Sequence, residues 1–307
     1  MHPILLTIGN YSISSYTVLL DLGLIMGLVV AYCEGKQVLG NGERSESRPE
    51  GVPERERSGR SVSGGGEAAL DAGLWAIVGG ILGGRIGFVL GNLEVFSEDW
   101  GRAFRIWEGG LSFLGAFLGG LAALILVGYL QSRSARQGFL PYLLKLADAL
   151  TLSVAVGLFF GWIACLLGGS VYGATGEGLG YAVLPDLYGV EASRFATQAV
   201  GAAYSLILLI VFWLMRRRWP FPGAAFLMFL LLYFTGIFFL EFTRGDEAIY
   251  VAGWRPAQVV DLALAVLAGA GLLALWWRAR GEQEIVEEVE EPVEEAEKLE
   301  EEPAADL

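Results

Sequence analysis

The feature that most constrains this chain is a series of seven mostly apolar stretches. A helix needs about 20 such residues to cross a bilayer core of about 30 Å. Residues 205–215 read SLILLIVFWLM and lack the alternation that a membrane barrel strand requires. We therefore predict an all-α polytopic membrane protein with seven transmembrane helices. They are expected at residues 13–33, 69–91, 111–130, 147–169, 196–215, 223–243 and 257–277.

Composition agrees with a membrane protein and excludes several other classes. Apolar residues make up 54% of the chain and charged residues only 18%, against about 25% charged in soluble domains. The net charge of −13 argues against a nucleic-acid-binding protein, because contact with phosphate backbones requires clustered bases. His2 is the single histidine of the sequence, and Cys33 and Cys165 form no metal-binding pair. We therefore expect no metal and no cofactor.

The distribution of Lys and Arg predicts how the seven helices are oriented. Fifteen of these residues lie in the loops after spans 1, 3 and 5 and in the C-terminal tail, whereas five lie in the loops on the other side. Loops rich in Lys and Arg remain in the cytoplasm. We therefore predict that the N-terminus is outside the cell and that the C-terminus is cytoplasmic.

Four segments follow from the spans and their connections. Residues 1–39 form an N-terminal segment with the first transmembrane helix, and residues 68–281 form the six-helix remainder of the membrane domain. Residues 40–67 are rich in charge, Gly, Ser and Pro, which predicts a disordered cytoplasmic linker. Residues 282–307 carry thirteen acids and one base, so like-charge repulsion predicts a disordered cytoplasmic tail.

Two features near the ends of spans allow both a packing role and a binding role. Arg85 lies near the end of the second span, from which its side chain could extend to the headgroup layer or bind a lipid phosphate. Gly109 and Gly110 begin the third span, where free backbone N–H groups can bind an anion. Close helix packing is the alternative for these glycines. The residues alone leave both questions open.

A charged motif ends the sixth span. Glu241 and Arg244 are spaced i, i+3, which places them on one helical face where they can pair, and Asp246 follows. The pair could simply stabilise the helix end. In an outer-face cluster with Arg85 and Arg194, it could also position a phosphate.

Taken in order, these segments resemble the prolipoprotein diacylglyceryl transferase family of bacterial inner membranes. The segment IWEGGLSF at residues 106–113 is the most specific, and the resemblance covers about residues 3–33 and 68–277. The other matching segments are PILLTIGNYSISSYTVLL from Pro3, LWAIVGGILGGRIGFVL around Arg85, the Gly-rich loop ending at Gly173, SRFATQ at 193–198 and EFTRGD at 241–246.

The resemblance implies transfer of the diacylglyceryl group of phosphatidylglycerol to the lipobox cysteine thiol of a prolipoprotein. Phosphatidylglycerol and the prolipoprotein signal peptide are then the partners, and the bacterial inner membrane is the location. Arg85 and Arg244 are expected to hold the phosphate. Tyr16 is expected to orient the headgroup or the thiol, and Glu241 to tune Arg244. The expected substrate-binding residues are Gly109, Gly110, Ser112, Gly173, Arg194 and Gln198.

The chain also departs from the family pattern. Leu114 stands where the family has His, and Trp162 replaces the Arg of the signature loop. Residues 196–201 read ATQAVG and lack the family's Pro, Tyr and Glu. One interpretation is a divergent but active transferase. A second is a protein of the same fold that binds a lipid or lipopeptide without catalysis, and a third is a small-solute transporter with a polar path across both leaflets.

Overall fold

The computed structural model describes residues 4–8, 11–40, 64–97, 99–106, 109–248, 250 and 252–301. The helices of this part of the chain are α1 (Ser15–Val38), α2 (Gly65–Gly91), α3 (Leu93–Ser97), α4 (Phe113–Ala135), α5 (Phe139–Gly168), α6 (Thr197–Met215), α7 (Ala224–Leu240) and α8 (Pro256–Glu301). Two antiparallel hairpins pair β1 (Ile4–Ile8) with β2 (Tyr11–Ser14) and β3 (Tyr181–Pro185) with β4 (Glu191–Phe195). Short 3₁₀ turns cover Trp100–Phe104 and Glu241–Thr243.

The predicted class is confirmed, because seven helices of the described residues are long and apolar enough to cross a membrane. The orientation of the termini stays a prediction. One difference in helix bounds concerns α5, which begins at Phe139 rather than near residue 147. Tyr142 and Lys145 lie in this first part of the helix. Their polar groups lower the local hydropathy, so a search for apolar stretches misses the first turns of the helix.

Helix α8 extends to Glu301 and so reaches into the acidic tail at residues 282–307, whose disorder stays a prediction. Glu, Ala, Leu and Lys are good helix formers, and extending an existing helix avoids the cost of nucleation. At the predicted linker, α2 already begins at Gly65. Residues 41–63 and 302–307 lie outside the described residues.

Helices α1 and α5 run antiparallel in close contact. A Cβ atom at Gly27 would lie 3.2 Å from the carbonyl oxygen of Ser153, and one at Gly168 would lie 3.2 Å from the ring of Tyr16. The start of α1, the end of α5 and the β3–β4 hairpin therefore share one end of the bundle, which we call the hairpin end. The end of α1, the start of α5 and the end of α6 lie at the opposite end.

A seam of glycines joins α2 to α4. A Cβ atom at Gly79 would lie 2.6 Å from the carbonyl oxygen of Gly119, and one at Gly83 would lie 2.7 Å from the Cα atom of Gly119. Small residues four apart allow two membrane helices to bring their backbones together. This seam holds the loop that follows α2 close to the start of α4, and that loop carries part of the predicted site.

An aromatic core joins α5, α6 and α7. Phe212, Phe229, Tyr233 and Phe234 are buried together with Leu152. The rings of Phe212 and Phe229 meet edge to face with their centroids 5.3 Å apart, an arrangement that aromatic pairs prefer. This core fixes the end of α5 relative to the end of α7, where the charged residues of the site begin.

The glycine seam leads to a prediction about stability. Gly83→Ala places a methyl group against the backbone of Gly119, so α2 and α4 must separate, at a cost of about 1–3 kcal/mol. Gly157→Ala is the matched control, because a Cβ atom at this position of α5 meets no atom within 4 Å. Thermal unfolding in detergent should show a lower midpoint for Gly83→Ala alone. Equal midpoints for the two variants would contradict the close packing.

Candidate active site

Three segments that are distant in sequence meet at the hairpin end. The backbone N–H of Gly245 donates to the carbonyl of Tyr172, and that of Ala174 donates to the carbonyl of Thr243, both at 2.9 Å. On the other side, the N–H of Phe195 donates to the carbonyl of Ala174 at 2.9 Å. These bonds join the turn after α5, strand β4 and the segment after α7 into one layer, which we call the site layer.

Gly173 is the point of closest approach in the site layer. It forms a β-bridge with Arg244. A Cβ atom at Gly173 would lie 2.7 Å from the hydroxyl of Thr197, which itself hydrogen-bonds the hydroxyl of Thr243 at 3.0 Å. A side chain at Gly173 therefore has no room. The residue lets the turn after α5 lie against the start of α6 and beside Arg244.

Two acids and two arginines form a network after α7, in which Glu241 and Arg255 are buried and Arg244 and Asp246 are partly exposed. Arg244 donates through Nη1 to Glu241 and through Nε and Nη2 to both carboxylate oxygens of Asp246, with the Nε bond at 2.8 Å. Arg255 donates through Nη1 to Asp246 Oδ1 at 3.1 Å and through Nη2 to the Asp246 carbonyl at 2.6 Å. We call these four residues the carboxylate–guanidinium cluster. It ties the end of α7 to the start of α8.

The charges of the cluster stabilise one another. Burial by itself lowers the pKa of Arg244, but hydrogen bonds and charges from Asp246 and Glu241 outweigh it and raise that pKa above its usual value. Burial by itself raises the pKa of Asp246, but hydrogen bonds and charges from Arg244 and Arg255 outweigh it and lower that pKa. Both groups are therefore charged at neutral pH, which keeps a guanidinium available for an anionic ligand.

Tyr16 lies at the hairpin end of the bundle. A Cβ atom at Gly168, the last residue of α5, would lie 3.2 Å from its ring. Tyr16 is 38% exposed, so it also borders the surface of the bundle. Asp261 on α8 is buried.

Arg194 and Gln198 complete the site layer. Arg194 donates through Nη2 to Asp186 at 3.0 Å, and its guanidinium lies over the ring of Tyr172 at 4.5 Å from the centroid. Gln198 donates through Nε2 to the carbonyl of Ser170 at 3.0 Å. Both side chains are buried. They hold the turn after α5 from the side opposite to the cluster.

Three buried polar atoms of the site layer make no hydrogen bond within the described residues. They are Glu241 Oε2, Gln198 Oε1 and Arg194 Nε. The Nη1 atom of Arg255 lies 4.0 Å from Glu241 Oε2, too far for a hydrogen bond. An unpaired buried polar atom costs about 1–3 kcal/mol. Two acceptors and one donor are therefore free to bind a ligand with hydroxyl and anionic groups.

Arg85 lies at the hairpin end but in a separate cluster. Its guanidinium donates to the carbonyls of Ala103 (2.8 Å), Gly109 (2.5 Å), Gly110 (3.1 Å) and Arg102 (2.6 Å). Only 6% of this residue is exposed. Backbone carbonyls thus occupy most of its donors, and the side chain holds the loop between α3 and α4 in place.

The glycines and the serine of this loop contribute to the same cluster. Gly109 and Gly110 have φ angles of +83° and +82°, which glycine adopts without strain. This conformation directs their carbonyls to Arg85. Ser112 caps α4, since its hydroxyl accepts the backbone N–H of Gly115 at 3.3 Å. A cavity of about 210 Å³ next to Arg85 is lined in part by the two glycines.

The structure therefore divides the predicted site residues into two groups. Tyr16, Gly173, Arg194, Gln198, Glu241 and Arg244 lie around the site layer, and Arg85, Gly109, Gly110 and Ser112 lie around the loop between α3 and α4. The arrangement favours a positioning role for Arg85 over the predicted phosphate contact. Sequence reasoning missed Arg255 and Asp186, the partners of Asp246 and Arg194. Their isolated loop positions carry no motif, so spacing alone gave no signal for either.

Known proteins of similar sequence identify the family of this chain. A sequence model of the family described as prolipoprotein diacylglyceryl transferase matches residues 3–277. The chain belongs to the prolipoprotein diacylglyceryl transferase family. Relatives named phosphatidylglycerol–prolipoprotein diacylglyceryl transferase include proteins of Halalkalibacterium halodurans (29% identical, 91% of this chain and 87% of the relative), Rhizobium meliloti (28%, 91% and 91%) and Gloeobacter violaceus (30%, 91% and 93%).

Three positions at which the chain departs from the pattern of the diacylglyceryl transferase family are placed by the structure, and they are Leu114, Trp162 and Gly201. Leu114 is the second residue of α4 and is 41% exposed. Trp162 donates from its indole N–H to the hydroxyl of Tyr233 at 3.3 Å. A Cβ atom at Gly201 would lie 2.6 Å from the Trp162 ring. The indole therefore occupies the space that a side chain at Gly201 would need.

The lowered pKa of Asp246 predicts how stability depends on pH. Its contribution is complete above the usual Asp pKa of about 3.9 and is lost as the pH falls through the lower folded-state value. Asp246→Asn should therefore lower the thermal unfolding midpoint in detergent at neutral pH and flatten its decline in acid. Asp99→Asn is the control, because Asp99 is half exposed and 4.0 Å from Arg105. An unchanged acid decline in Asp246→Asn would contradict the assignment.

The positioning role of Arg85 is tested by Arg85→Lys, which keeps the charge. Lysine cannot reach four carbonyls, so amide hydrogen exchange should become faster in residues 99–106 and 109–112, whereas a simple phosphate contact would survive in part. Arg105→Lys is the control on the same loop, since its side chain is 46% exposed. Exchange rates equal to those of the unsubstituted protein would show that Arg85 does not hold the loop.

Proposed function

We propose that this protein transfers the diacylglyceryl group of phosphatidylglycerol to the lipobox cysteine thiol of prolipoproteins in the bacterial inner membrane. The observation that carries the proposal is the carboxylate–guanidinium cluster beside the Gly173–Arg244 bridge. It places a charged guanidinium and unpaired buried acceptors in one layer. Family membership and seven membrane-length helices support the same reaction and a membrane location.

The polar groups of the site layer match the headgroup of phosphatidylglycerol. The phosphate binds Arg244 and Arg255 and displaces part of their contact with Asp246. Guanidinium groups form two parallel hydrogen bonds to such an oxyanion. The hydroxyls of the glycerol headgroup donate to Gln198 Oε1 and Glu241 Oε2, the acceptors without a partner. The partly exposed Tyr16 lies where the glycerol backbone enters from the lipid.

The chemical step is a displacement at carbon. The lipobox thiol loses its proton, and the thiolate forms a carbon–sulfur bond as the carbon–oxygen bond to the phosphate breaks. Glycerol phosphate leaves with the bonding electrons. Glu241 accepts the thiol proton through Oε2, because Leu114 provides no imidazole. Arg244 stabilises the charge that develops on the departing phosphate.

Trp162 favours one alternative, a protein that binds lipid without transferring it. Its indole stands where the family pattern has a cationic side chain and is hydrogen-bonded to Tyr233 in the aromatic core. A site with one cation fewer binds the same headgroup but stabilises the leaving phosphate less. The two functions differ in turnover and not in lipid binding.

The proposal is tested in a bacterium depleted of its own transferase. Expression of this chain should restore incorporation of radiolabelled lipid into a model prolipoprotein. Glu241→Gln keeps the shape but removes the proton acceptor, so labelling should fall by about 10²–10⁴-fold. Glu94→Gln is the matched control, because this acid on α3 is exposed. Membrane-inserted protein that binds phosphatidylglycerol but never labels the acceptor would favour the binding protein.

A further inference from the structure

A second polar cavity lies at the opposite end of the bundle from the site layer. Its volume is about 750 Å³, and it opens between the end of α1, the start of α5 and the turn from α6 to α7. Lys145, Arg216 and Arg217 line it together with Glu34 and Asp148. We call it the basic cavity. It is unrelated to the proposed reaction, since none of the predicted site residues lines it.

The lining of the basic cavity carries three cations and two acids. Asp148 accepts the backbone N–H groups of Gly223 at 2.6 Å and Phe226 at 2.9 Å. Its carboxylate therefore caps the start of α7 and is directed to backbone donors. Glu34 Oε1 lies 3.8 Å from Arg216 Nε, which is an ion pair without a hydrogen bond. The cations of the lining therefore outnumber the acids by one.

Two of the cations have unused donors. The Nε atom of Arg216 is buried and makes no hydrogen bond within the described residues. Across the described part of the chain, Lys145 forms neither a hydrogen bond nor an ion pair, although it is half-buried. Buried donors are normally satisfied. An anion in the cavity would accept hydrogen bonds from both groups.

The wall of the basic cavity suits a ligand from the membrane interface. The indole of Trp219 stacks on Phe212 with the ring centroids 5.1 Å apart, and Phe221 and Leu152 add apolar surface. Aromatic residues concentrate at the depth of lipid headgroups. Basic pockets between membrane helices bind anionic headgroups, especially where Lys and Arg cluster next to a span. Arg216–Arg218 form such a cluster directly after α6.

We propose that the basic cavity binds a phosphate group through Lys145 and Arg216, either as the headgroup of an anionic phospholipid or as a free phosphate. The phosphate accepts hydrogen bonds from Arg216 Nε and from the Lys145 ammonium. The apolar wall at Trp219 receives the first part of the acyl chains when the source is a lipid. The positive-inside prediction places this lipid in the cytoplasmic leaflet, away from the site layer.

Lipid retention by the full-length protein tests the proposal. Delipidated protein in detergent is incubated with dioleoyl phosphatidylglycerol or dioleoyl phosphatidylcholine, and bound lipid is counted by native mass spectrometry. Each protein also carries Arg244→Ala, which removes lipid held at the site layer. The double variant Lys145→Gln with Arg216→Gln removes both cations. Lys145→Arg with Arg216→Lys keeps them, and Arg218→Gln removes an exposed arginine outside the cavity.

The neutral double variant should bind phosphatidylglycerol about 30-fold more weakly, as expected for two lost cations. The charge-preserving variant and Arg218→Gln should retain it, and phosphatidylcholine should not be retained. Equal retention of phosphatidylglycerol in all variants, or equal retention of both lipids, would overturn a lipid headgroup as the occupant.

Inorganic phosphate tests whether a free phosphate, rather than a lipid headgroup, occupies the cavity. A free phosphate is assigned if inorganic phosphate raises the thermal unfolding midpoint, if this rise disappears in the neutral double variant, and if phosphatidylglycerol is not retained. Loss of lipid retention in the same variant assigns it to a headgroup. If the neutral double variant changes neither the retention of phosphatidylglycerol nor the effect of inorganic phosphate on the unfolding midpoint, the basic cavity is not a phosphate site.

Discussion

A guanidinium group that is largely removed from water must have its N–H donors paired, and this requirement organises the hairpin end of the bundle. Arg85 meets it with backbone carbonyls, which bind the loop between α3 and α4 to the end of α2. Arg244 meets it with the carboxylates of Glu241 and Asp246. The type of hydrogen-bond partner determines the role of each arginine. Carbonyls can be released only if the loop unfolds, whereas a carboxylate can be replaced by the phosphate of a ligand.

The overall architecture was largely predictable, because apolar length alone determines which segments can cross a bilayer. The seven helices follow from this constraint. The long α8 was not predicted, because helix continuation from a stable membrane segment is a cooperative effect that composition does not show. The β3–β4 hairpin was missed as well, since its short strands carry no periodic pattern long enough to read.

The site was predictable where its residues are close in sequence. Glu241 and Arg244 form the expected i, i+3 pair. Arg255 was missed because its partner Asp246 precedes it across a loop, so only the folded chain brings them together. The role of Arg85 could not be read from side chains at all. Its partners are backbone carbonyls, and every residue type supplies one.

The departures from the family pattern bear on how many cations remain to bind a phosphate. The Trp162 ring packs over Gly201 and hydrogen-bonds Tyr233, at positions where the family pattern has charged groups. The carboxylate–guanidinium cluster retains two arginines and a free carboxylate oxygen. The proposed transferase reaction therefore relies on Arg244 and Arg255 for the phosphate.

The position of the phosphate in a complex with phosphatidylglycerol tests this account most directly. A cryo-electron-microscopy structure of the protein in a phosphatidylglycerol nanodisc would locate it. The account predicts phosphate density within hydrogen-bond distance of Arg244 or Arg255, with Arg85 still bound to its carbonyls. Density next to Arg85, with the carboxylate–guanidinium cluster intact and empty of lipid, would contradict it.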